Sequence, residues 1–332
     1  MQNFALLSLS SLIGKTNCHP YPRSSSSRHS PPAAPIILAV MLLFVGAAVT
    51  FTAGGAAAES YPITFQDDLG QVFTLKAKPQ RIISLAPSLT EILFALGLGE
   101  QVVAIDSYSN YPPATADIEK VGSGLQPSIE RLVALQPDIV FLWDLATEDL
   151  QRQLQRVNIV AVTFAPQTIT QVMDCIRRIG EITGTTAAAA EVVAGMQKTI
   201  DQVAALTAGI KVKPKVFFEI WPDPLMSAGP GSFVHELIGL AGGENVAGDT
   251  KTAWPVISVE HVVLKNPDVI LTPFDQTMTV VYGKNKAWFA GVNAVKNGRI
   301  HQVDQDLISR AGPRMTEGLL LIAKSLHPEL FP

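Results

Sequence analysis

The sequence predicts an α/β protein of two lobes, each with a mainly parallel sheet flanked by helices, joined by a single long backbone helix. Three observations carry this. Apolar runs of four to six residues alternate with helical segments through residues 81–164, and the alternation resumes from Lys215; such runs are buried parallel strands covered on both faces. Between them, residues 169–210 are Ala-rich with helical spacing. A thirteen-residue segment also recurs at an offset of 130, as an internal duplication would.

The elements follow in order. Residues 1–58 hold Lys15, Arg23 and Arg28 but no acid, then an apolar run from Ile36 to Val49 and a small-residue end at Ala56-Ala57-Ala58. That is the grammar of a secretory signal peptide cut after Ala58. An uncleaved anchor is the alternative, since ~20 apolar residues span a bilayer, and the Arg/Ser-rich start also fits a transit peptide. The N-terminal lobe then runs over 59–168, the helical connection over 169–210 and the C-terminal lobe over 211–332. After an extended opening (63–75), strands are expected at 81–86, 102–105, 138–142 and 159–164. Ser88 and Glu91 read as a capping box for a helix over 89–96 that Gly97 stops. Gly184 is the expected interruption of the helical connection. Beyond it come a strand at 215–220, helices at 233–240 and 259–264, a strand at 268–271 and a closing helix at 313–326.

The duplication pairs Ser128-Ile-Glu-Arg-Leu-Val-Ala-Leu-Gln-Pro-Asp-Ile-Val140 with Ser258-Val-Glu-His-Val-Val-Leu-Lys-Asn-Pro-Asp-Val-Ile270, five of thirteen positions being identical. Each copy is a Ser-capped helix, a Pro-Asp turn and a buried strand. Glu130 and Glu260 are therefore equivalent, each in a first helical turn, where an acid complements the helix dipole. Their symmetry also fits twin contacts to a symmetric basic partner.

The composition excludes several function classes. The chain of 332 residues is 47% hydrophobic and 16% charged, with net charge −4, so it is neither disordered nor collagen-like. With no broad basic field, no nucleic-acid partner is expected. Two cysteines exclude a disulfide framework, and Cys175 sits in an apolar helical pattern as buried filler. No P-loop, G-x-S-x-G elbow or dinucleotide fingerprint occurs, and His235, His261, His301 and His327 lack paired metal-ligand spacing. No catalytic residue and no metal site is assigned. The chain therefore reads as a binding protein with its ligand between the lobes. Trp143, Trp221 and Trp254 fall at strand ends, where open α/β sheets bind ligands, and Tyr108 follows another strand. Large rings there suit a bulky planar ligand.

Over Arg81 to Leu326 the chain resembles the periplasmic vitamin B12 (cobalamin)-binding proteins of ABC importers, within the helical-backbone (class III) solute-binding family. The resemblance rests on Ser107-Tyr-Ser-Asn-Tyr-Pro-Pro113, Val121-Gly122, the Ile129–Leu135 helix, Gly242-Gly243-Glu244-Asn245, Ala253-Trp254-Pro255 and Ser309-Arg-Ala-Gly-Pro-Arg314. It implies ligand contacts from Tyr108, Trp143 and Trp254, with Asp306 and Arg310 at the ligand's polar rim. It also implies docking of Glu130 and Glu260 onto a permease in the inner membrane. Two positions depart from the family: Gly124 replaces a tryptophan, and a phenylalanine falls on Ile220, with Trp221 beside it as a substitute wall.

The implied function is capture of cobalamin or a related corrinoid and delivery to the permease, with no enzymatic step. The cobalt belongs to the ligand and the protein needs no cofactor of its own. The expected state is a periplasmic monomer exported by its signal peptide, with membrane anchoring as the alternative. A stiff backbone helix implies a small closure on binding. The alternatives are a siderophore- or haem-binding protein of the same class, or an enzyme on the same scaffold.

Overall fold

A computed structural model describes residues 61–144, 147–275, 279–281 and 285–331. The expected signal peptide lies outside the described residues. An antiparallel hairpin, β1 (Ile63–Gln66) with β2 (Val72–Leu75), opens the chain. There follow β3 (Ile82–Ser84), α1 (Pro87–Ala95), β4 (Val102–Ile105), β5 (Glu119–Lys120), α2 (Ile129–Ala134), β6 (Ile139–Trp143), α3 (Glu148–Arg156) and β7 (Ala161–Phe164). The five strands from β3 to β7 form one parallel sheet in the order β5-β4-β3-β6-β7. Helix α3 has no counterpart in the sequence expectation. Only Leu150 and Leu154 of its apolar side chains are buried, and its polar face pairs Arg152 with Glu148 and Asp149.

The helical connection is two helices, α4 (Ile169–Thr183) and α5 (Thr186–Thr207), the second being the long one. Thr168 and Gln171 close a capping box at the start of α4. Gly184 ends it in the left-handed region at φ 64°, a conformation glycine adopts without steric cost. The break is where the sequence places it. At Gly180 the helices approach so closely that a Cβ would lie 2.5 Å from that of Ala189.

The C-terminal lobe contains β8 (Lys215–Phe218), β9 (Trp221–Pro222), β10 (Leu225–Met226), α6 (Phe233–Leu240), β11 (Glu244–Asn245) and α7 (Val259–Lys265). It continues with β12 (Val269–Thr272), α8 (Lys286–Phe289), α9 (Asn293–Lys296), β13 (Ile300–Gln302), α10 (Gln305–Ser309) and α11 (Met315–Leu326). Its parallel sheet has the order β11-β8-β12-β13, while β9 and β10 form a separate antiparallel ribbon.

The two lobes repeat in detail. Ser128 and Ser258 each accept a hydrogen bond from the backbone three residues on, at 3.3 and 3.1 Å. The equivalent residues Gln136 and Asn266 both adopt positive φ, 47° and 48°. Asp138 Oδ2 accepts from the N–H groups of Gln80 and Arg81 ahead of β3, and Asp268 Oδ2 accepts from that of Lys215 at the start of β8.

The lobes also share a core. One apolar cluster runs from Ile82 and Phe141 through Ile176 of α4 and Val203 of α5 to Val216, Phe218 and Leu319. Cys175 lies in it, and burial pushes its thiol up, away from reactivity. Among the described residues no helix is long and apolar enough to cross a membrane.

Candidate ligand cleft and docking surface

In both lobes the helices follow the carboxyl ends of parallel strands, and it is at these ends that the candidate residues gather. After β4, Asp106 is buried and accepts from the Tyr108 N–H at 2.9 Å and from the Ser109 hydroxyl. Thr90 of α1 meets the Ser109 hydroxyl at 2.8 Å, and Lys120 donates to the Ser109 carbonyl. The base of this loop is fixed, so the Tyr108 ring, 47% exposed, projects outward from a rigid mount.

Trp143 is the last residue of β6, beside Phe164 of β7, half-buried against the main core. Trp254 is 37% exposed. Its Nε1 donates to Gln167 Oε1 just past β7 at 3.2 Å, and its face meets the edge of Phe233 at 6.0 Å. This ring thus belongs to one lobe and is tied to the other. Trp221, half-buried, donates through Nε1 to the Asp223 carbonyl at 2.9 Å and stands edge-on to Phe274 at 5.6 Å. Ile220 beside it packs into the main core instead.

Gly124 is a site of close packing. A Cβ there would fall 2.1 Å from the Leu85 carbonyl oxygen, so this backbone accepts no side chain where the family has tryptophan.

Asp306 and Arg310 lie on α10 and its C-cap, past β13. Arg310 Nη2 meets Asp306 Oδ1 at 2.8 Å, and its Nη1 meets Oε1 of Glu91 on α1 at 2.8 Å. Asn110 donates to Asp306 Oδ2 at 3.3 Å. Arg314 approaches the same Glu91 oxygen at 3.4 Å and lies over the Tyr111 ring at 3.9 Å. The structure therefore joins the predicted Asp–Arg pair to the other lobe through Glu91.

Glu91 is a correction to the sequence reading. Helix α1 starts at Pro87, its N-cap Ala86 has no side-chain hydrogen bond, and Ser88 is buried. Proline favours the first helical position, which places Glu91 on the buried face among Leu89, Ile92 and Leu93 rather than in a cap. An acid among Leu89, Ile92 and Leu93 was the available signal. Gln167 and Glu219 gave none.

Three acids are buried at these strand ends. Burial pushes the carboxyls of Glu91, Asp106 and Glu219 above their ordinary values, against the pull of Arg310 and Arg314 on Glu91, of Ser109 on Asp106, and of Thr279 on Glu219. Glu219, past β8, accepts from the Thr279 hydroxyl and from the Val280 N–H at 2.7 Å. The folded chain thus holds these protons more tightly than the unfolded chain. The stabilisation is full below the ordinary carboxyl pKa and is lost as pH rises through the raised ones. Denaturant midpoints taken from about pH 4 to 8 should show Glu219→Gln gaining on the parent as pH rises. Parallel curves would mean that Glu219 does not titrate in that window.

Glu130 and Glu260 are exposed in the first turns of α2 and α7. Each helix runs antiparallel to the strand it precedes, so both acids lie at the strand-end side of their lobes, one per lobe. Trp288 is an exposed residue of α8.

The sequence profile of the periplasmic binding protein family matches residues 82–307. An uncharacterized ABC transporter substrate-binding lipoprotein, YvrC of Bacillus subtilis, is 34% identical over 280 residues, covering 82% of this chain and 88% of that protein. A cobalamin-binding protein of Halobacterium salinarum is 30% identical over 315 residues, 86% of this chain and 84% of its own. Among solved structures, the apo periplasmic heme-binding protein RhuT of Roseiflexus sp. RS-1 superposes with a TM-score of 0.67 at 26% identity, over 76% of this chain and 99% of that one. The periplasmic vitamin B12 binding protein BtuF of Vibrio cholerae does so at 0.65 and 25%, over 75% and 97%.

Proposed function

The chain belongs to the periplasmic binding protein family as an ABC-transporter substrate-binding protein, and from that premise we propose that its cargo is cobalamin or a closely related corrinoid, held between the lobes. The observation that carries this is the state of Arg310. Both of its terminal nitrogens are engaged by carboxylates, Glu91 and Asp306. Arg314 shares Glu91 and also faces Glu317 at 3.8 Å. The polar corner is an acid–base cluster of mixed sign, not a bare cation. Haem presents two carboxylates and requires positive charge to receive them. A corrin is rimmed by carboxamides, which donate and accept and so suit alternating acids and bases. Tyr108, Trp143, Trp221 and Trp254 supply flat apolar area for the macrocycle, Trp221 standing in for the ring that Gly124 excludes. The relative named for cobalamin supports the same reading.

In this account the protein is a passive, monomeric carrier in the periplasm, released by cleavage after Ala58. It has no cofactor of its own, since the cobalt travels with the cargo. Its two exposed acids meet the permease that the family implies. The bracing by α4 and α5 restricts the lobes to a small closure.

Calorimetric titration with cyanocobalamin and with hemin tests the cargo. Saturable one-to-one binding of cyanocobalamin, well ahead of hemin, is expected. Preference for hemin would overturn the assignment.

A further inference from the structure

The proposed cleft uses Glu91 only as a counter-charge to Arg310 and Arg314. Glu91 is an acid at 2% side-chain exposure, set in a helix whose other inward residues are mostly apolar. Its Oε1 serves Arg310 at 2.8 Å and Arg314 at 3.4 Å, while Oε2 is buried with no hydrogen-bond partner among the described residues. All compensation for removing this carboxylate from water therefore comes through one oxygen, and from the opposite lobe. Both arginines are also mostly buried, at 12% and 18% side-chain exposure.

A buried ion pair of this kind is no simple source of stability, because desolvation of the two charges offsets their attraction; its better-attested use is to fix register. Here the register is that of two lobes. The segment 306–314 lies beyond β13 of the C-terminal sheet, and Glu91 lies just beyond β3 of the N-terminal sheet. Asn110 with Asp306, and Tyr111 with Arg314, extend the contact on either side.

We infer that Glu91 is a positioning residue, an interlobe latch that clamps Arg310 and Arg314 and so fixes both the guanidinium offered to the cargo and the spacing of the lobes. The first half of this rests on the cargo reading. The second stands without it. With Nη1 held by Glu91 and Nη2 by Asp306, Arg310 has its fork set before the cargo arrives. The cost of ordering a long side chain is then not charged against affinity. The same clamp opposes separation of the lobes at the junction of α1 with α10 and α11.

The test uses the full chain with Cys18→Ser, and spin labels at Glu130→Cys and Glu260→Cys, one on each lobe. Cys175 is buried and does not take the label. Glu91→Gln, Arg310→Gln and the double variant are compared, because the double variant removes both members of the closest pair together, while Arg314 keeps Glu317 and Tyr111 and Asp306 keeps Asn110. In the parent, electron–electron distance measurements should give one narrow distribution. In the double variant it should broaden, and Glu91→Gln, which keeps Arg310, should bind cyanocobalamin about 10- to 100-fold more weakly, the range for a charge-assisted hydrogen bond. An unchanged distribution in the folded double variant would overturn the latch. Undiminished cyanocobalamin affinity in Glu91→Gln would overturn the positioning of Arg310. Absence of cyanocobalamin binding in the parent, with broadening in the double variant, would sink the cargo reading and leave the latch standing.

Discussion

Reversing both exposed acids, Glu130→Arg together with Glu260→Arg, is expected to abolish uptake in cells while cargo affinity and folding stay at parental levels. Both side chains project into solvent from the first turns of α2 and α7, each two residues past a serine whose hydroxyl caps the helix. Among the described residues neither has a side-chain partner whose loss would disturb the fold: the neighbouring Arg131 pairs with Glu119, and Lys265 pairs with Asp249. The local cost is the dipole term, ~0.3–1 kcal/mol per helix. At a docking surface the effect is much larger, because like charges placed opposite one another cost several kcal/mol and also reduce the encounter rate. Uptake of labelled cyanocobalamin by cells that rely on this protein provides the readout, with calorimetry on the purified variant as control. Uptake at the parental rate would remove both residues from the docking surface.

Trp254→Ala is expected to weaken cyanocobalamin binding by about 30-fold, corresponding to the ~2 kcal/mol or more lost at a binding hot spot when an aromatic anchor is truncated. The ring is 37% exposed in the free protein, so it retains area for a cargo to cover. It is also oriented from two sides, by Phe233 and by Gln167 of the other lobe. A tryptophan positioned in advance in this way loses little entropy on binding. Trp254→Phe keeps a ring but loses the Nε1–Gln167 hydrogen bond, and should fall between the two. Equal affinity in all three forms would place Trp254 outside the cleft.

The elements most legible in the sequence were those with a mostly buried apolar run or a serine cap. Strands β4 and β6, the helix α6 and the duplicated Ser-capped helices have apolar runs or caps whose local physics agrees with their tertiary role. Gly97 and Gly184 mark helix ends because both take positive φ there. Helix α3 was missed because its apolar face consists of just Leu150 and Leu154, four residues apart in an otherwise polar segment, and β13 because Ile300–Gln302 is a partly exposed edge strand with a single aliphatic residue. Among the candidate residues, position and resemblance singled out the aromatic side chains and the Asp306–Arg310 pair, and the structure shows that pair as an ion pair. Glu91 was misread because S-x-x-E has two meanings. It is a cap when serine precedes the helix, and an ordinary inward position when proline has already begun it. Gly124 shows the reverse case. The sequence records the loss of a ring, but only the backbone shows that the Leu85 carbonyl occupies its space.

The account depends on a neutral-rimmed macrocycle occupying the cleft. The visible absorption spectrum of the full-length protein, incubated with cyanocobalamin and then desalted, measures this most directly. The expected result is red protein carrying one corrinoid per chain. Colourless protein that under the same treatment retains hemin would contradict it.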